Sequence, residues 1–187
     1  DFGPGLDPFQ VVGPGLHHLL PFRHEFGIVV RRTHAVSFGM GKLALDGVTV
    51  ALPALRAPAR RVKGTFELHN YEMTIAGMHG TILDGPFELS AKPGRTSRDV
   101  EAAIELTAKG RAGGARLPAF IGLPSTIAMS GATDWELQGH IEKRRAGGAW
   151  PMQFDVTSSL DGLVIQAPRP FAKTAPELRP THVRLEI

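Results

Sequence analysis

Apolar and polar residues alternate along most of this chain with the two-residue period of half-buried β-strands. Phe66 and Leu68 share one parity, and Tyr71, Met73 and Ile75 set the next. Phe87 and Leu89 follow, then Val100, Ala102, Ile104 and Leu106. Trp135, Leu137 and Ile141 continue the pattern, as do Met152, Phe154, Val156 and Leu160, before the close on Val183, Leu185 and Ile187. Between them stand polar residues suited to solvent: Thr65, Glu67 and His69; Glu101, Glu105 and Thr107; Asp134, Glu136, Gln138 and His140. Asp84-Gly85-Pro86, Lys92-Pro93-Gly94 and Ala146-Gly147-Gly148 supply turn chemistry between the strands. The pattern predicts an all-β protein: a long, curved, antiparallel sheet connected as a meander. One short helical turn is expected near 117–122, where Leu117-Pro118-Ala119-Phe120-Ile121-Gly122 breaks the alternation and Pro118 suits a first helical turn. A strand is expected to resume at Thr126 to Met129.

The first 60 residues read differently, as a loop-rich segment with the first strands. Gly3-Pro4-Gly5-Leu6 recurs as Gly13-Pro14-Gly15-Leu16, two similar turns rather than a solenoid repeat. His17 to Phe22 suits a brief helical turn. Ile28-Val29-Val30 and Leu43 to Leu52 read as strands, the second interrupted at Asp46-Gly47. Residues 61–187 form the regular antiparallel part.

At 187 residues, with 42% apolar and 21% charged side chains, the chain can bury a core and is not disordered throughout. The absence of cysteine excludes disulfides and thiolate metal clusters but is neutral on compartment. A net charge of +3 is modest, and the basic residues sit in short clusters beside Gly and Pro: Arg60-Arg61-Lys63, Lys92 to Arg98, and Lys143-Arg144-Arg145. Solvated hairpin ends account for them, with contact to anionic membrane headgroups as the sharper reading. Nucleic-acid binding is not expected. No stretch approaches the roughly 20 apolar residues of a membrane-spanning helix. The opening on Asp1-Phe2-Gly3 suggests a fragment of a longer protein, with any membrane anchor outside it.

Candidate chemistry is sparse. Of eight histidines, His17, His18 and His24 lie closest together, without the i, i+4 pair and glutamate of a zincin. His69 and His140 fall on the polar face. Gly39-Met40-Gly41-Lys42 lacks the spacing of a phosphate loop and reads as a β-turn. Ser130-Gly131 lacks the upstream glycine of a nucleophile elbow, since Ala128 stands there. Asp134 and Glu136 share a strand face, whereas glycosidase carboxylates converge from different elements. The expectation is no enzyme, no metal and no cofactor.

Ser158 to Ala175, SSLDGLVIQAPRPFAKTA, carries the most specific pattern. Leu160, Leu163 and Ile165 are expected as strand positions around Gly162, and Pro168 and Pro170 end the strand because neither can donate to a ladder. The segment resembles a signature of the AsmA-like family of periplasmic proteins, YhdP type: a strand reading S-S-L-x-G-L-x-I-x-L-P, then x-P-L-G-K-x-A. Ser158, Ser159, Leu160, Gly162, Leu163, Ile165, Pro168, Pro170, Lys173 and Ala175 match it; Ala167, Phe171 and Ala172 depart. Gly131, Trp135, Gly139 and Ile141 are similar to a second strand pattern of that family, G-x-x-x-W-x-x-x-I, with the last position shifted. The resemblance covers 61–187, about two thirds of the chain.

The apolar sets can pack on one another in a closed sandwich or leave a trough open to a ligand. The resemblance implies the trough: a β-groove segment of an inner-membrane-anchored protein in the periplasm of a Gram-negative bacterium. It would conduct phospholipid acyl chains between the inner and outer membranes. The groove lining expected on that basis is drawn from Phe66, Leu68, Met73, Ile75, Phe87, Leu89, Ile104, Leu106, Trp135, Leu137, Phe154, Val156, Leu163 and Ile165. The alternative is a closed β-sandwich serving as a binding or adhesion module.

Overall fold

Alternating side chains can bury one face only if neighbouring strands keep the same parity, and the meander does this strand by strand. In a computed structural model, residues 41–51, 57–69, 72–124, 126–145 and 150–186 are described in full, and three earlier strands by backbone alone. Strands β4 (Lys42–Ala51), β5 (Ala59–His69), β6 (Glu72–Ile82), β7 (Gly85–Pro93), β8 (Val100–Gly113), β9 (Ala128–Arg144) and β10 (Met152–Ser158) lie side by side in chain order. Beyond β10 lies β12 (Thr181–Glu186), while β11 (Leu163–Gln166) pairs with the first part of β9. At the other side β2 (Ile28–Arg31) and β3 (Ala35–Gly39) pair with β4, and β1 (Val11–Val12) runs parallel to β2. The result is one open, curved, mostly antiparallel sheet. The sheet and its core continue through residue 60, which lies inside β5.

The ladders are not uniformly regular. Register shifts interrupt β4–β5 between Leu45 and Val50, β5–β6 between Arg60 and Thr65, and β6–β7 between Ile75 and Met78. Residues with left-handed backbone sit at these points: Gly47, Arg61, Gly64 and Gly77. Extra residues in one strand of a pair bend it and raise its twist. By contrast β7–β8 and β9–β10 run without a shift, and β8–β9 has one, at its end near Val100.

The expected helical turn is present. A 3₁₀ turn, Gly114–Arg116, leads into α1 (Leu117–Ile121), with Pro118 in its first turn and Gly122 ending it at φ +75°. Three local expectations shift. The β6–β7 reversal is Leu83–Asp84, both at positive φ as a type I′ turn requires, rather than Asp84-Gly85-Pro86. Gly85 instead opens β7, where a Cβ would strike the Arg111 carbonyl. The reversal after β7 spans Gly94–Asp99, since Pro93 still pairs with Ile104. Leu160 is not a strand position: β10 ends at Ser158, and Leu160 adopts φ +54° in the link to β11. Gly39 stands opposite Lys42, so the phosphate-loop candidate is a tight β3–β4 hairpin. Ala146-Gly147-Gly148 and the histidines His17, His18 and His24 lie outside the described residues.

Candidate functional site

Partners in an antiparallel ladder share a face, so the register shows which side chains meet. One row runs Leu43, Phe66, Ile75, Ala91, Leu106, Gly139, Phe154, Leu185. The adjacent row runs Leu45, Gly64, Met78, Leu89, Ala108, Leu137, Val156, Val183, with Met78 lying against Gly64. Both rows cross eight strands from β4 to β12 without a charged residue, about 34 Å at roughly 4.8 Å per strand. Every expected lining residue lies on this apolar face except Leu163 and Ile165, which sit on β11 beside Gly131 and Met129.

Across the apolar face, cover is uneven. Val48, Val62 and Ile104 are essentially sealed (0%, 1% and 0% exposed), and Leu45, Val50, Met73, Ile75, Met78 and Ala91 are buried with them. Phe66, Leu68, Phe87, Leu89, Ile141 and Trp150 close around this cluster while half-buried. Toward the other edge, Leu106, Trp135, Leu137, Phe154 and Val156 are half-buried, and Val183 and Leu185 are 46% and 50% exposed. Thus Met73, Ile75 and Ile104 are core residues, while the open part of the face belongs to β9, β10 and β12.

Three aromatic rings lie down on glycines of the facing strand. A Cβ at Gly80 would meet the Phe87 ring at 2.9 Å, one at Gly110 the Trp135 indole at 2.7 Å, and one at Gly139 the Phe154 ring at 2.9 Å. Each pair is directly opposite in register. The rings therefore spread across the sheet instead of standing up from it, leaving a low apolar surface. Trp135 Nε1 has no hydrogen-bond partner among the described residues, consistent with an indole pressed flat.

The signature segment is a tie between β11 and β9. Ser158 Oγ donates to the Asp134 carbonyl at 2.7 Å and accepts from the Leu160 N–H at 3.1 Å. Ser159 Oγ accepts from the Asp161 N–H, and the Ser159 carbonyl from the Arg179 N–H. Gly162, at φ +74°, and Gly131, at φ +81°, permit backbones to approach where a Cβ on Gly131 would strike the Gly162 carbonyl. Leu163 is sealed at 1% exposed, against Gly114 of the 3₁₀ turn. It offers no open lining surface. Lys173 is 2% exposed, and its Nζ donates to the carbonyls of Leu163 at 2.8 Å and Thr174 at 3.0 Å, with a longer 3.5 Å contact to Ala175. Ile165 and Lys173 also exchange backbone hydrogen bonds. These residue types are explained by closing a strand end, not by reaction chemistry. Their roles were not legible before the structure, because carbonyls carry no sequence signal.

The opposite face is polar and paired across strands. Lys42–Glu67, Lys63–Asp46, Lys92–Glu105, Lys109–Glu88 and Arg111–Asp134 bridge neighbours at 2.6 to 3.1 Å. The Lys92 ammonium bonded to Glu105 holds that carboxyl below the usual range. Arg184 and His182, both bonded to Asp155, do the same there. Two hollows, of 270 and 280 Å³, sit on this face, lined by groups such as Glu88, Thr107, Lys109 and Gln138, or Lys42, Glu67 and His69. Asp134 pairs with Arg111, and His140 with Glu142 at 3.0 Å. Among the described residues no three His, Asp or Glu side chains gather as a metal-ligand set, and no helix is long and apolar enough to cross a membrane. Comparison with family models, curated proteins and solved structures gives no match.

Proposed function

We propose that this chain is a segment of an AsmA-like, YhdP-type periplasmic protein whose apolar sheet face carries phospholipid acyl chains between inner and outer membranes. The observation that carries the reading is the pair of uncharged rows crossing eight strands of an open sheet, with aromatic rings laid flat on glycines. An acyl chain leaving water gains about 0.8 kcal/mol per buried methylene. The half-covered part of the face, from Leu106 and Leu137 to Phe154 and Val156, offers that gain without a deep trap, and movement along it needs no catalytic residue. The signature at Ser158 to Ala175 supports the family reading through its residues.

The test is lipid occupancy. Native mass spectrometry of the purified chain should detect bound phospholipid, and a photoreactive acyl chain should label Leu137 and Val156. Phe154→Asp should abolish labelling while leaving the circular dichroism spectrum of the parent. A lipid-free parent, or a Phe154→Asp chain that labels as before, removes the proposal. The sealed cluster around Val48, Val62 and Ile104 favours a second reading, a closed binding or adhesion module. On that reading Phe154→Asp unfolds the chain and no lipid co-purifies.

A further inference from the structure

Because the strands run across the apolar face, their ends form two rims along its sides. On one rim, two adjoining connections carry arginines. Residues 94–99 join β7 to β8 and contribute Arg95 and Arg98, while Arg144 and Arg145 close β9. The Arg145 N–H donates to the Asp99 carbonyl at 3.1 Å, and Val100 stands opposite Arg144. All four arginines are exposed. Arg144 Nε comes only within 3.9 Å of Glu142, and Arg95, Arg98 and Arg145 have no ion pair among the described residues. Asp99 is the one carboxylate in the sequence of 94–99 and 144–150. The lysines just inside, Lys92 and Lys143, are matched by Glu105 and Glu101 at 3.0 Å each. The pairing has therefore consumed the lysines and left the guanidinium groups, whose planar forks suit phosphate oxygens.

Immediately inward lies apolar wall. Pro93, Ile104, Ile141 and Met152 stand opposite one another across β7 to β10. Arg144 is three residues from Ile141, about 10 Å along the strand and on the polar side of the pleat with Glu142, so its long side chain meets the apolar face only around the strand end. Ile104 is sealed in the core, so a phosphate at the rim would leave the tails of the same molecule over half-buried Ile141 and Met152 and the open residues of β9 and β10 beyond.

We propose that this rim binds the phosphate of an anionic lipid headgroup, through Arg95, Arg98, Arg144 and Arg145, while the acyl chains lie on the adjoining apolar face. This rests on the acyl-chain reading above and adds a headgroup preference to it. The test uses the full chain and vesicles of phosphatidylcholine, alone or in equal parts with phosphatidylglycerol, each carrying a photoreactive acyl chain on one lipid. Arg95→Glu with Arg98→Glu is compared with Arg60→Glu and Arg61→Glu, which changes the charge equally on the opposite rim. Capture of phosphatidylglycerol should fall about tenfold or more in the first variant and stay within about twofold in the second. Phosphatidylcholine capture should change little in either.

Equal capture by the parent and the first variant overturns the headgroup site and leaves the acyl-chain reading standing. An equal loss in both variants makes the effect one of overall charge and overturns it too. Displacement of the lipid by inorganic phosphate, or by duplex DNA, would assign the rim to those ligands instead. A parent that captures neither lipid removes the acyl-chain reading, and this proposal with it.

Discussion

The two halves of the sheet share a parity but not a degree of closure. From β4 to β7 the ladders carry register shifts, at Gly47, around Arg61 and Gly64, and at Gly77, and their apolar side chains are sealed together with Ile104 of β8. From β7 to β10 the ladders are almost regular, and the same face grows more exposed until Val183 and Leu185 stand half in water. Bulges bend strands, and a bent sheet brings its own inner side chains into contact. A regular stretch stays broad and needs something else to cover it. Where the extra residues fall thus separates a self-packed core from a face left partly in water.

The largest expected effect divides the halves directly. Ile104→Ala should cost about 2–5 kcal/mol, because a sealed side chain leaves a cavity. Leu137→Ala, in the half-covered region, should cost about 1 kcal/mol. Urea denaturation of the two variants measures the difference, and equal losses would erase the distinction between core and open face.

A second pair probes the glycines. Gly64 has φ +144°, and a Cβ there would meet the Met78 Cα at 2.7 Å. Gly64→Ala should therefore cost about 1–3 kcal/mol, since backbone must move. Gly139→Ala meets mainly the Phe154 ring, which can lift into the open half, so its cost should be about 1 kcal/mol or less. Thermal unfolding ranks them; a larger loss at Gly139 would mean that half is as tightly packed as the other.

Comparable in size, but local, is the effect of Lys173→Met. It strands the buried Leu163 carbonyl and leaves the part-buried Thr174 carbonyl to water, at about 1–3 kcal/mol. Limited proteolysis should find new cuts in 167–180 while β4 to β8 stay protected. Cuts throughout would show that the tie supports the whole sheet.

The smallest effect is acid sensitivity at the open edge. Asp155 has a depressed carboxyl pKa because Arg184 and His182 bond its charged form. A carboxylate lowered on folding adds stability above its unfolded value of about 3.9, and loses it as pH falls through the folded value beneath. Hydrogen exchange of β12 amides should therefore quicken below about pH 4 before those of β5 and β6 do. Because the pair is exposed, added salt should blunt the change.

Alternation made the strands, their order and the parity of the apolar set readable from sequence. Thr65, Glu67 and Gln138 sit outward, as their polarity requires, and Leu117–Gly122 breaks into a helix where Pro118 suggests it. Parity says which way a side chain points but not what covers it, so Ile104 and Leu137 looked alike. The flat rings depend on register, since Gly110 and Trp135 are distant in sequence and meet only because β8 and β9 align. Leu160 read as a strand residue by type, while its place in a left-handed link is set by the Ser158 and Ser159 hydroxyls around it. β3 was missed although Val36 and Phe38 alternate with Ala35 and Ser37, a signal easily lost in five residues.

Because β4 to β10 follow one another across the sheet in chain order, that part is assembled from successive antiparallel neighbours, with β2, β11 and β12 added from further along the chain. Excising one hairpin would shorten the ribbon by about 10 Å, two strand spacings, and leave the inward and outward sides of every other strand unchanged. Such a ribbon can be lengthened or trimmed during evolution in units of two strands without redesigning its cross-section.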